Sequence, residues 1–235
     1  MGSKNHSGSG LGNQADNMKY QILNNDSIQI KHPITGLPVK LFRIISLKDF
    51  MCRSGAMLNG DIGGVYGISN GMIGGYIQSE KNLPQDDDSW IGENARVFDN
   101  ATLKNSVVIG DSRIFGNSIV EDSFIFDRVR IFGQAQLKSC TICDNVDVYD
   151  AKIESSIIKN SSVVCGKSEV IDCRLSGGSR ICDSFVKNSK LTDQSEIRKN
   201  SKVEGCHFSG RTVIINGTVL NETRSETIQL NVTTG

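Results

Sequence analysis

The chain of 235 residues lacks any excess of charge: 26 Lys and Arg face 26 Asp and Glu. No global field therefore points to nucleic acid or to an anionic membrane as a partner. It also lacks an apolar run near the ~20 residues needed to span a bilayer. The first residues have no apolar stretch of the kind that marks a secretory signal. The start MGSKNHS carries His6 where N-myristoylation needs Ser or Thr, so no lipid anchor is expected. Residues 1–17, rich in Gly, Ser and Asn, read as a disordered leader. Among seven cysteines only Cys140 and Cys143 have CxxC spacing, and no second pair completes a zinc site. No metal is expected, and a reduced, cytoplasmic protein fits this usage. Histidines number three: His6, His32 and His207.

What the chain does have is repetition. From Ala95 onward a small residue recurs every five or six positions: Ala95, Ala101, Ser106, Ser112, Ser118, Ser123, and so on to Thr218. Two residues after each stands an apolar one, such as Val97, Leu103, Val108, Ile114, Val120 and Ile125. Just before the small residue, Asn, Asp or Gly is common, as at Asn94, Asn100, Asn105, Asp111, Asn117 and Asp122. Residues two apart point to the same side of a strand. Asn, Asp and Gly tolerate the left-handed backbone of a sharp corner. Each unit is thus one short strand and one corner, and three units close a coil. The pattern is similar to the hexapeptide repeat of left-handed β-helices. It predicts an all-β, three-sided, single-stranded left-handed parallel β-helix over residues 90–220, with about eight coils on the ~4.8 Å spacing of paired strands. The handedness is implied by the resemblance, not by the spacing.

The phase of the repeat assigns side chains to three faces. The first carries Arg96, Arg113 and Arg130 outward, one per coil, beside Phe98, Phe115, Phe132 and Tyr149. The second alternates Lys104, Glu121, Lys138 and Glu154, which suits ion pairing between coils in water. The third begins apolar with Val107, Ile109, Phe124, Phe126 and Ile157, then turns basic with Arg174, Lys190 and His207. Four outward aromatics in register make a stripe that monomers rarely leave bare. It needs cover, from a second subunit or from the chain's own N-terminal segment. Arg with aromatics is also the composition of interface cores. A groove for a phosphate-bearing ligand is the other use of stacked arginines.

Residues 18–89 do not follow the repeat and read as a cap that hides the open edge of the first coil. Lys19–Ile30 and Leu41–Ile45 read as strands joined through a turn at Pro33–Pro38, and Ser46–Met51 as a short helical turn. A GG pair occurs twice, at 63–64 and 74–75, where close backbone approach or a tight turn is expected. No GKS or GKT follows, so neither is a phosphate loop. Residues 221–235 read as a polar C-terminal tail.

Three stretches, KLFRIISLKDF at 40–50, GMIGGYIQSEKNL at 71–83 and WIGENARVFDNATL at 90–103, resemble enterobacterial and phage-borne left-handed β-helix proteins that carry an acetyltransferase label. The resemblance covers about residues 38–220 and departs in having a second GG stretch at 60–70. It implies acyl-CoA chemistry: a histidine as general base and acetyl-CoA in a groove between subunits of a trimer. On this chain only His207 lies on a coil, so it is the one catalytic candidate. No orienting partner is evident for it, since Glu204 sits across a corner. The repeats also run without the inserted loop that encloses the cofactor. Both points weigh against catalysis and against any cofactor. Cys165 and Cys182 stack outward one coil apart, within reach of a disulfide or, beside Arg180 and Arg198, of thiolate chemistry. Cys140, Cys173 and Cys206 point inward as small core residues. The expectation is a non-catalytic scaffold that forms a homo-oligomer, a trimer, through its Arg/aromatic face and can take a protein partner there. The alternatives are an acyltransferase and a host- or phage-interaction module.

Overall fold

A computed structural model of the protein describes residues 18–54, 64–225 and 228–231. The expected leader and the GDIG half of the first GG stretch lie outside them.

The sequence periodicity becomes three parallel sheets, one per face. The first face is a twelve-stranded sheet, the second has eight strands and the third nine. The result is an all-β parallel β-solenoid of about nine turns, consistent with the left-handed form. The count exceeds eight because strands continue at both ends. Ile73–Ile77 pairs in parallel with Arg96–Val97 before the first regular coil. Thr223–Arg224 and Ile228–Asn231 extend two of the ladders beyond Leu220.

The register explains the repeat. On the first face Arg96, Arg113, Arg130, Asp147, Val163 and Arg180 are successive partners. The next residue along each strand points inward, so Val97, Ile114, Ile131, Val148, Val164 and Ile181 stack as a fully buried column. The small position has its own reason. The Ser123 hydroxyl donates to the Glu121 carbonyl at 2.7 Å and accepts the Cys140 N–H of the next coil at 3.0 Å. Ser106, Ser156 and Ser189 repeat this double role. A buried hydroxyl there meets no desolvation cost, because both its donor and acceptor capacities are used. Cys140, Cys173 and Cys206 occupy the same position, buried and free, as expected of core thiols. One residue earlier the chain turns through positive φ, at Asn105 (46°), Asp122 (49°) and Gly205 (65°) among others. That conformation is why Asn, Asp and Gly recur at the corner.

The N-terminal segment is a set of antiparallel strands: β1 (Tyr20–Lys31), β2 (Pro38–Ser46), β3 (Phe50–Ser54), β4 (Gly64–Ile68) and β5 (Ile73–Ile77). β1 pairs with β2 and β2 with β5, so the hairpin extends the first-face sheet. β3 and β4 form a separate two-stranded unit. The helical turn expected at Ser46–Met51 is not there: the chain bends and enters β3 at Phe50. Phe50 instead packs edge-on against Trp90, 5.8 Å between ring centres, so tertiary packing overrides the local pattern. The second GG pair is a close approach. A Cβ on Gly74 would lie 2.6 Å from Ile44 and 2.7 Å from the Ile91 carbonyl, and one on Gly75 2.5 Å from the Ala95 carbonyl.

Side chains of the loop before Trp90 close the remaining open edge. The Asn82 amide donates to the Ala101 and Asp99 carbonyls at 2.8 and 3.1 Å. Asp87 accepts the Asn105 N–H at 2.8 Å and the Ser89 N–H at 2.9 Å. Lys19, almost wholly buried, reaches the Asp87 carboxylate at 3.0 Å and its carbonyl at 2.9 Å. Burial drives the Lys19 pKa down despite that partner. It pushes Asp87 the other way, but the two N–H donors and Lys19 outweigh it and hold Asp87 below the usual carboxylate range.

Candidate functional site: the arginine and aromatic face

The aromatic ladder is present, and its rings stack one per coil. Phe98 and Phe115 are 5.0 Å apart, Phe115 and Phe132 5.1 Å, and Phe132 and Tyr149 5.0 Å. Its exposure differs from a bare stripe. The β1–β2 hairpin folds over the early coils, and Phe98 and Phe115 are buried with Leu41 and Tyr76 against Ile28, Ile30 and Val39. The cover for these two rings comes from the chain itself, so they are unavailable to a second subunit. Phe132 and Tyr149 emerge half-buried beyond it.

His32 fastens this cover. Its ring stands edge-on to Phe98 and Phe115, with centroids 5.8 and 5.6 Å away. Nδ1 accepts the N–H groups of Ile34 and Thr35 at 3.2 and 3.1 Å. The proton therefore sits on Nε2 and is donated to Asp99 Oδ2 at 3.0 Å. Asp99 in turn accepts the Gly116 N–H at 3.0 Å. Both ring nitrogens are occupied, so His32 has none to offer a substrate. No local pattern signals this pairing beyond a histidine before a proline; the two residues are 67 positions apart.

The arginines form one row. Arg43, on β2, lies on the Tyr76 ring with its guanidinium carbon 4.2 Å from the centroid, and its Nε is 3.1 Å from Asp26. Its guanidinium also bonds the Tyr76 hydroxyl and donates to the Gly74 carbonyl at 2.9 Å. Tyr76 is register partner to Arg96, and Arg113 and Arg130 follow. Arg130 is paired with Asp147 on the next coil. Arg96 and Arg113 have no ion pair or hydrogen-bonded side-chain partner among the described residues. The Arg96 Nε is shut from water with nothing to donate to.

His207 projects from the third face in register with Lys190, and both are exposed. Together with Asp172, Arg174 and Thr223 they line an open groove. Among the described residues no group hydrogen-bonds the His207 ring. Glu204 is turned instead to Lys202 at 3.9 Å. Higher up this face, Val107, Phe124 and Ile157 are buried rather than exposed. The second face behaves as a solvated surface, with Lys104 and Glu121 2.7 Å apart and Lys152 between Glu154 and Glu169.

Cys165 and Cys182 are joined as a disulfide across neighbouring coils, Cα atoms 4.7 Å apart. Neither is then a free thiolate, and the pair takes the disulfide that its stacking on neighbouring coils left open. Burial pushes the Cys140, Cys143 and Cys173 thiols up to about 12, which leaves them inert near neutrality. Asp127, Cys143 and Asp144 bring three potential ligand atoms within 4.8 Å of one another. Corner geometry accounts for the cluster, since Asp127 and Asp144 both take the positive φ of a turn.

A model of the GlmU-like C-terminal hexapeptide family matches residues 76–153. The match runs from the end of β5 through the first coils, where the ladder and Arg96, Arg113 and Arg130 lie. This is a hexapeptide-repeat β-helix protein. No curated protein matches it at a significant level. Among the described residues of this β-helix no helix is long and apolar enough to cross a membrane.

Proposed function

We propose that the protein is a non-catalytic β-helix scaffold that assembles with copies of itself and binds a partner on the open part of its first face. One observation carries this reading. The ladder runs out from under the hairpin with two aromatic rings half-exposed, Phe132 and Tyr149, beside the exposed Arg113 and Arg130. Aromatic and arginine side chains together have the composition of an interface core. The histidines support the same reading. His32 has both nitrogens engaged, and among the described residues no group orients His207 as a general base. The test is the mass of the full chain in solution. Wild type runs as an oligomer, a trimer by the resemblance, and Phe132→Glu shifts it to the monomer. A wild-type monomer, or a Phe132→Glu variant of unchanged mass, overturns the reading.

The family match favours a second reading, an acyl-CoA-dependent acyltransferase whose site a neighbouring subunit completes. His207 is then the general base in the groove with Lys190 and Asp172. Saturable acetyl-CoA binding, with turnover lost in His207→Ala, supports that reading over the scaffold. Absence of acetyl-CoA binding removes it.

A further inference from the structure

The arginine row is neutralised at its two ends and bare in the middle. At one end Arg43 is held by Asp26, and at the other Arg130 is held by Asp147. Between them Arg96 and Arg113 sit on paired strands, about 4.8 Å apart by the spacing of a parallel sheet. Neither has an ion pair among the described residues. Arg113 is exposed and Arg96 half-buried. Like charges on neighbouring strands repel, and more strongly where one is withdrawn from water. Burial, then Arg113, hold the Arg96 pKa below its ordinary value.

The groups that face this pair are few. Asp111, exposed at the neighbouring corner, attracts Arg96 without reaching it as an ion pair. The Tyr76 hydroxyl is taken by Arg43, and so is the Glu93 carbonyl, at 3.3 Å. Among the described residues nothing therefore supplies the acceptor that the buried Arg96 Nε lacks. A charged group with a buried, unpaired donor is costly, and an anion against the accessible part of the half-buried Arg96 guanidinium offsets its charge.

We propose that Arg96 and Arg113 form a binding site for a tetrahedral oxyanion of the phosphate or sulfate type. Its several oxygens can accept from two guanidinium forks carried on adjacent coils. The site rests on the reading of the first face as the binding surface and gives that surface a ligand chemistry. Phe132 and Tyr149 continue the neighbouring ladder, so a phosphate carried on an apolar group finds a stacking surface beside the anion.

The experiment is isothermal titration of inorganic phosphate, and separately of phenyl phosphate, into the full chain at low ionic strength, with oligomer mass recorded on each sample. The expected result is one saturable site per chain, weakened about tenfold or more in Arg113→Gln and in Arg96→Gln. Arg113→Lys retains part of the affinity, because it keeps the charge but not the fork. Arg180→Gln, another exposed arginine of the same ladder, leaves binding unchanged. Tighter binding of phenyl phosphate assigns the anion to a phosphomonoester, and equal binding assigns it to free phosphate. Either outcome upholds the site. Binding that never saturates, or is lost equally in Arg113→Gln and Arg180→Gln, overturns it. So does tighter binding of acetate than of phosphate, which marks a carboxylate site. Loss of phosphate binding in Arg113→Gln without a change of mass keeps this inference separate from self-association.

Discussion

The early and late coils of the first face share one backbone and one register, yet carry different chemistry. Under the hairpin the outer ladder reads Phe98, Phe115 and, at the border, Phe132 and Tyr149. Beyond it the same position holds Cys165, Cys182 and Arg198. The inward column does not change across that border, running Ile114, Ile131, Val148, Val164, Ile181 and Ile197, all fully buried. The solenoid thus sets where side chains point, and the presence or absence of a cover sets what they can be. The rings are fully buried only where β1 and β2 lie on them, and Phe132 and Tyr149 are half-buried past that cover. Past the cover the ladder continues as a disulfide, an ion pair of Arg198 with Glu196 at 3.4 Å, and Ile215.

The sharpest way to break this comparison is Phe115→Glu. It places an unpaired charge under the hairpin and removes a ring stacked on two others, so a loss of about 4 kcal/mol or more in urea-denaturation stability is expected. Its first visible effect is release of the hairpin, not dissociation of an oligomer, because the ring faces the chain's own strands. Limited proteolysis cutting between residues 31 and 38 reads that release.

Next in size is the cap. Asp87→Ala leaves Lys19 buried without its carboxylate and two edge N–H groups without an acceptor, at a cost of about 3–5 kcal/mol. The pH dependence has a definite sign. The folded-state pKa of Asp87 is depressed, so its contribution is complete above the ordinary carboxylate value and is lost as pH falls through the lower folded one. Thermal melts of wild type should therefore decline on acidification over that range. Asp87→Ala should flatten the decline.

His32→Ala removes the fastening and its edge contacts with Phe98 and Phe115, but leaves the stacked rings themselves in place. A loss of about 1–3 kcal/mol is expected, since Asp99 keeps the Gly116 N–H but loses its imidazole donor. Faster hydrogen exchange confined to β1 and β2 is the distinguishing readout. Smallest of all is Arg198→Ala on the uncovered half. Its pair with Glu196 is part-exposed, so a change within about 1 kcal/mol is expected in the same urea titration. A cost there equal to that of Phe115→Glu contradicts the assignment of the cover as the cause of the difference.

Much of the coil architecture was readable from spacing. A period of five or six with small, apolar and corner positions admits one arrangement of strands, and the inward columns follow from it. The ladder of Phe98, Phe115, Phe132 and Tyr149 was legible for the same reason. Other features were not, because they depend on residues far apart in sequence. The Ser46–Met51 segment carried a local helical pattern that Phe50 gives up to pack on Trp90. Nothing near His32 announces Asp99, and nothing near Lys19 announces Asp87.

The repeat alone dictates the β-helix, its register and the residues of each face, since a periodic chain can bury its apolar positions only by stacking coils. Only the tertiary structure decided which part of the first face is open. A hairpin with no repeat of its own lies across the early coils. That placement leaves Arg96 and Arg113 as the uncompensated pair at its edge, because the two carboxylates of the row are spent on Arg43 and Arg130.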